Sequence, residues 1–162
     1  MLKTFVSHHY PTACTKVYLL NFGTCRYLSN TIINEFCSCY MTKILLIDDD
    51  PDVRMVMSRA LSKQGYEVDT ASRREEALAK LAVALPSLIL LDVLLSGTDG
   101  RELCREIKAD KKTQAIPVIM LSGHPGAAAS RFENYGADDF IAKPVNIEAL
   151  LEKMSNQMSD IK

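Results

Sequence analysis

Four short apolar runs in this sequence each lead into a residue that could do chemistry. Ile44–Ile47 leads into Asp48 and Asp49, Leu88–Leu91 into Asp92, Pro117–Leu121 into Ser122, and Phe140–Ala142 into Lys143. Three carboxylates gathered at one rim repel, and each raises the others' pKa unless a cation lies among them. A hard divalent ion with oxygen ligands removes the conflict, and Mg2+ suits a site of a few carboxylates, several waters and a phosphate. With such an ion in place, an aspartate oxygen can attack phosphorus and form an aspartyl phosphate. The charge spread over the equatorial phosphoryl oxygens then calls for a metal, a hydroxyl and an ammonium. Asp48 with Asp49, Ser122 and Lys143 would supply these three. The set works only if one fold brings all five residues to the same edge.

The intervening sequence predicts such a fold. Ile44–Ile47 and Leu88–Leu91 are continuous apolar runs ending in acids, the pattern of strands buried on both faces. After the first, Asp50 is a good N-cap and Pro51 a natural first helical residue. Val53, Val56, Met57, Ala60 and Leu61 then recur at helical period, and Gly65 closes the helix. Tyr66–Thr70 reads as a second strand. Ser72 and Glu75 have the spacing of a capping box before a stripe of Ala77, Leu78, Leu81, Ala82 and Leu85. Asp99-Gly100-Arg101-Glu102 looks like another capped start, with Leu103 and Ile107 facing inward. Pro117–Leu121 is a fourth strand, Ala127–Tyr135 a weakly patterned fourth helix, and Phe140–Ala142 a fifth strand. Asn146 caps a last helix striped by Ile147, Leu150, Leu151 and Met154. Five strands alternating with five helices predict an α/β fold, a doubly wound five-stranded parallel sheet of flavodoxin-like order 2-1-3-4-5. In such sheets the ligand site lies outside the carboxyl ends of the strands. Asp48, Asp49, Asp92, Ser122 and Lys143 all fall there.

These residues resemble the receiver domain of response regulators, over about Lys43 to Met154. The resemblance rests on Ile47-Asp48-Asp49 with Arg54, and on Asp92 followed by Asp99-Gly100. It rests equally on Leu121-Ser122-Gly123, on Gly136-Ala137-Asp138-Asp139-Phe140, and on Lys143-Pro144. Each piece alone is weak; all five in order at this spacing are specific. The resemblance implies that Asp92 is the phosphoacceptor and that Mg2+ is held by Asp48, Asp49, Asp92 and the backbone carbonyl of Leu94. It further implies that Ser122 follows the phosphoryl group, that Lys143 pairs with it, and that Phe140 is an aromatic switch residue. A cis Lys143–Pro144 bond is expected. One residue departs from the family: where proline usually stands four positions after the acceptor, this chain has Ser96, followed by Gly97. Two flexible residues there are expected to loosen the loop and alter the lifetime of the phosphate.

Blander roles suit several neighbours. Asp50 and Asp99 read as helix caps, and Cys104 as a buried, inert thiol. Met55, Met57, Met120 and Met154 read as core or near-core packing. Three rival functions fit the residues less well. An aspartate-nucleophile phosphatase of the haloacid-dehalogenase type fits Asp48-x-Asp50. It needs an acidic pair after its lysine, however, whereas Asp138-Asp139 precedes Lys143, and it leaves Asp92 unexplained. A flavin-binding flavodoxin-like protein would need a phosphate loop where this chain has three acids. A receiver-like module that binds partners without phosphate is opposed by the intact acceptor, acidic pair and lysine.

The composition sets the outer bounds. Over 162 residues, 48% apolar and 24% charged describes a globular chain, long enough for one domain with a core. A net charge of −1 gives no basic excess for nucleic acid or an anionic membrane surface. No apolar run approaches the roughly 20 residues of a transmembrane helix. The first 40 residues differ from the rest: they carry +2 against −3, hold four of the five cysteines, and show no persistent period. Cys37-Ser38-Cys39 with His8 and His9 matches no usual zinc spacing, and an odd cysteine count is a poor disulfide framework. Residues 1–40 are therefore expected to be a disordered leader or to lie upstream of a native start at Met41, with 41–162 the receiver. A cytoplasmic, reducing location is expected. The sequence given stops soon after Met154, with no DNA-binding or enzymatic module. Output is thus expected through a protein contact, with a histidine kinase or histidine phosphotransfer protein upstream and the downstream protein unidentified. The surface expected to change on phosphorylation is that of the fourth helix, fifth strand and fifth helix.

Overall fold

The computed structural model describes residues 42–123 and 132–159, all within the unit Met41–Lys162. The expected leader lies outside the described residues. Chain order gives β1 (Lys43–Ile47), α1 (Pro51–Lys63), β2 (Glu67–Ala71), α2 (Arg74–Val83) and β3 (Leu88–Asp92). A small hairpin follows, β4 (Leu94–Leu95) and β5 (Thr98–Asp99), then α3 (Gly100–Ala109) and β6 (Val118–Ser122). A 3-10 turn (Phe132–Tyr135), β7 (Asp139–Ala142) and α4 (Ile147–Ser159) complete the described chain. Strands β2-β1-β3-β6-β7 form one parallel sheet in that order, which is 2-1-3-4-5 counted over its five strands. This is the flavodoxin-like arrangement the sequence predicts, with four α-helices among the described residues. Of the expected fourth helix, Ala127–Tyr135, only Phe132–Tyr135 lies within the described residues, as the 3-10 turn.

Strand side chains alternate between two buried layers, as a period of two demands when helices cover both faces. Leu45 and Ile47, Ile89 and Leu91, and Val118 and Met120 pack with Ala77 and Leu81 of α2 and with Leu103, Cys104 and Ile107 of α3. Ile44 and Leu46, Leu88 and Leu90, and Ile119 and Leu121 pack with Met57 and Leu61 of α1 and with Leu150 and Met154 of α4. Every residue of β3 and β6 is buried, so a one-residue slip of either strand would send each side chain into the opposite layer.

Local signals account for most helix ends. Asp50 caps α1 by accepting from the amide of Asp52 at 2.8 Å, Asp99 caps α3 through the amide of Arg101 at 2.9 Å, and Asn146 accepts from the amide of Ala149 at 3.0 Å. Gly65, one residue past the C-cap Gln64, has φ of 88°, where a side chain is strained.

Other expectations are corrected. Ser72 bonds Glu76 through both its amide and its hydroxyl, at 2.8 and 2.9 Å, and Glu75 takes no part in this contact. The helix begins only at Arg74, so a glutamate one position later reaches back to the turn. Val56 and Met55 are exposed, 60% and 47%, because β1 and β3 cover only the Met57–Leu61 side of α1. Helix α2 stops at Val83, leaving Ala82 exposed and Leu85 53% exposed beyond its end.

Candidate functional site

The carboxyl ends of β1, β3, β6 and β7 carry the polar residues that the sheet order brings side by side. Asp48 follows β1 and is fully buried. Three contacts fix it: its backbone carbonyl accepts from Nη1 of Arg54 at 2.5 Å, Oδ1 accepts from the amide of Asp50 at 3.0 Å, and Oδ2 accepts from Nζ of Lys143 at 2.7 Å. Arg54 of α1 thus holds the backbone of Asp48, while Asp50 and Lys143 hold its carboxylate.

Asp92 closes β3 and is 5% exposed. Its Oδ2 accepts from Nζ of Lys143 at 2.7 Å, and Oδ1 accepts from the amide of Leu94 at 3.3 Å. Burial pushes the Asp92 carboxyl above the ordinary carboxylate range, against the pull of Lys143, while the charge of Asp48 adds to the rise. Burial acts to lower the Lys143 ammonium, but its bonds to Asp48 and Asp92 outweigh that and hold it above the ordinary lysine range. Lys143 follows β7, its amide donates to the carbonyl of Ser122 at 2.7 Å, and the Lys143–Pro144 bond is cis as expected.

Asp49 lies at the mouth of the cluster, partly exposed. Its Oδ2 accepts from the hydroxyl of Ser96 at 2.5 Å. That bond is the largest of the effects that hold its carboxyl below the ordinary range. Asp48, Asp49 and Asp92 each offer an oxygen within 4.8 Å of the others. Against one ammonium they leave two negative charges in excess. A hard dication with carboxylate ligands neutralises that excess, and Mg2+–oxygen bonds of about 2.0–2.1 Å draw such oxygens only slightly closer. The donor set fits the expected Mg2+.

Ser122 ends β6, is 3% exposed, and pairs in register with Ala142. Phe140 lies two residues before that pair, opposite Met120 in the body of the sheet, and is half-buried. It is thus placed along β7, away from the carboxyl rim. Leu94 opens the β4–β5 hairpin with its side chain 59% exposed, so its backbone is the part turned to Asp92.

The structure adds residues whose contacts are hidden in the sequence. A Cβ on Gly100 would lie 1.9 Å from the carbonyl oxygen of Asp92, so only glycine lets α3 begin against this strand end. Its amide donates to the carbonyl of Val93 at 2.9 Å. In the sequence Gly100 reads as part of a capped start beside Asp99, and nothing there signals this close approach. Ser96 stood out only as a departure from the family, with no hint of Asp49 as its partner. Asp138 accepts from the amide of Val118 at 2.7 Å and from Nζ of Lys108 at 2.6 Å, which secures the start of β6. Tyr135 is stacked by Arg105, whose guanidinium carbon is 4.6 Å from the ring centroid.

Comparison with known proteins agrees with this fold. The response regulator receiver domain model matches residues 44–155. The transcriptional regulatory protein ResD of Bacillus subtilis is 39% identical over 123 residues, covering 70% of this chain and 50% of ResD. The chain spans about half the length of the curated relatives it matches. Among solved structures, a CheY-like receiver domain protein from Methanospirillum hungatei is 34% identical with a TM-score of 0.68, covering 74% of this chain and 95% of that one. The response regulator TrrA of Thermotoga maritima, solved in complex with Mg(2+)-BeF, is 33% identical with a TM-score of 0.65, covering 72% of this chain and 99% of that one. With a family match over most of its length and the fold to go with it, this chain belongs to the response regulator receiver domain family.

Proposed function

We propose that the domain takes a phosphoryl group from a phosphohistidine donor onto Asp92 and signals through the altered surface that results. The observation that carries this reading is the shared contact of Lys143 Nζ with Asp48 and Asp92, 2.7 Å from each, at the mouth of a three-carboxylate cluster. In the reaction an Asp92 carboxylate oxygen forms a bond to phosphorus as the phosphorus–nitrogen bond of the donor breaks. The leaving imidazole keeps the electron pair and takes up a proton from solvent. Bound Mg2+, held by Asp48, Asp49, Asp92 and the Leu94 carbonyl, supplies charge neutralisation at the phosphoryl oxygens. Lys143 adds its ammonium to the same charge, and the Ser122 hydroxyl donates to a phosphoryl oxygen once it is in place. Movement of Ser122 and Phe140 then favours a second arrangement of the surface at β7, α4 and the segment before β7.

The upstream partner in this reading is a sensor histidine kinase or a histidine phosphotransfer protein, and the downstream one a protein that reads the altered surface. The domain acts as a signalling module whose only chemistry is on its own aspartyl phosphate. A cytoplasmic location follows from such partners; among the described residues no helix is long and apolar enough to cross a membrane. Residues 1–40 belong to this proposal as a leader outside the receiver.

The test is incubation with acetyl phosphate and Mg2+ followed by intact mass. Wild type is expected to gain about 80 Da, one phosphoryl group, only when Mg2+ is present, and Asp92→Asn is expected to gain nothing. A folded wild type without the adduct would replace this reading with a receiver-like module that binds its partner without phosphate.

A further inference from the structure

The hairpin after β3 reaches back across the site to a residue of the first strand end. Ser96 and Asp49 lie 47 positions apart, yet the Ser96 hydroxyl donates to Asp49 Oδ2 at 2.5 Å. The Ser96 backbone amide also favours the charged form of that carboxylate. Gly97, with φ of 80°, lets the chain turn immediately after Ser96, and the Leu95–Thr98 pair closes the hairpin behind it. A proline at position 96 would have neither the hydroxyl nor the amide hydrogen to give.

Asp49 is the member of the cluster that most needs such a hold. Asp48 is fixed by Asp50 and Lys143, and Asp92 by Leu94 and Lys143. Asp49 is the more exposed carboxylate and, left to itself, loses rotamer freedom when it binds an ion. A carboxylate has about four acceptor positions, so one bond at Oδ2 leaves Oδ1 available. In the tethered arrangement the three carboxylates still gather their oxygens within 4.8 Å.

From these contacts we infer that Ser96 is a positioning residue for the cation site, holding Asp49 in the orientation in which it serves as a ligand. The inference rests on the reading of Asp48, Asp49 and Asp92 as the Mg2+ site. It reverses the expectation that serine and glycine simply loosen this loop: Ser96 ties the hairpin to the metal-binding edge. Ser96 acts through Asp49 and does not touch the reacting atoms.

The test is calorimetric titration of the metal-free full chain with MgCl2, which needs no phosphorylation. Ser96→Ala is expected to raise the Kd for Mg2+ about five- to tenfold, the worth of one ordinary hydrogen bond at an exposed site. Ser96→Thr, which keeps both donors, is expected to bind as wild type does. Thermal melting in chelator separates positioning from support of the fold: the Ser96→Ala midpoint is expected within about 2 °C of wild type, as for an exposed substitution. A Ser96→Ala Kd equal to or below that of wild type would overturn the inference while leaving the site reading intact. Wild type whose Mg2+ binding is absent, or persists unchanged in Asp48→Asn, would overturn both.

Discussion

Replacing Gly100 by alanine tests how tightly the start of α3 is set against Asp92, the proposed phosphoacceptor. The added Cβ would lie 1.9 Å from the Asp92 carbonyl oxygen, 3.0 Å from its carbonyl carbon and 3.2 Å from Val93 Cα. All three are backbone atoms, so no side chain can swing aside. Ordinary contact begins at 3.4 Å, so the helix start and the end of β3 must part by more than 1 Å. Overpacking of this kind costs about 1–3 kcal/mol, and a backbone obstacle belongs at the upper end. Alanine's better helix propensity returns at most about 1 kcal/mol. The net loss of about 2 kcal/mol lowers Tm by roughly 6–12 °C in a domain of this size. The same displacement moves the Asp92 carboxylate relative to Lys143, now 2.7 Å away. A misplacement of about 1 Å costs up to about a hundredfold in rate. Differential scanning calorimetry and an intact-mass time course with acetyl phosphate measure the two effects. A Gly100→Ala protein with unchanged Tm and unchanged phosphorylation rate would refute the close approach on which the reasoning stands.

Three further outcomes are expected. Lys143→Met leaves the buried carboxylates of Asp48 and Asp92 without their ammonium, so in chelator it should lose about 3 kcal/mol in urea unfolding; added Mg2+ should stabilise it more than it stabilises wild type, and equal stability in chelator would count against the ion-pair reading. Asp138→Ala strands the Val118 amide and takes the carboxylate from Lys108 and should cost about 1–2 kcal/mol, with Asp138→Asn recovering part because it keeps an acceptor; identical urea midpoints for both variants would contradict this. Burial pushes the Cys104 thiol up to about 11 from an ordinary 9.0, so between those values the unfolded chain has released its proton while the folded chain keeps it. Stability is therefore intact below pH 9 and falls as pH rises towards 11, by up to about 2–3 kcal/mol; Cys104→Ala, compared with wild type across that range, should lack this component, and parallel curves would show that the thiol does not titrate there.

What the sequence reveals depends on how far apart the interacting residues lie. Asp50, Asp99 and Asn146 cap helices within three residues of themselves, so their roles could be read directly. The strands were legible because Ile44–Ile47, Leu88–Leu91 and Val118–Leu121 are unbroken apolar runs, which a sheet covered on both faces requires. Helix faces were less so. A helical period gives the direction of a stripe but not its width, and Val56 and Leu85 sit where no neighbour covers them. The site was legible for a topological reason: in a parallel sheet every carboxyl end lies on one edge, so residues far apart in sequence meet there whatever the loops do. That reasoning places Asp48, Asp92, Ser122 and Lys143, but it is silent about contacts made by the loops themselves. Ser96 meets Asp49 only because a two-residue hairpin folds back, and Gly100 is needed only because α3 starts against β3. Both contacts depend on where a loop places the residue, which its type alone does not reveal. On the proposal that Ser96 orients Asp49, receivers that share every charged residue of this site are expected to differ in metal affinity through the loop after the acceptor, where an alignment of charged residues looks the same.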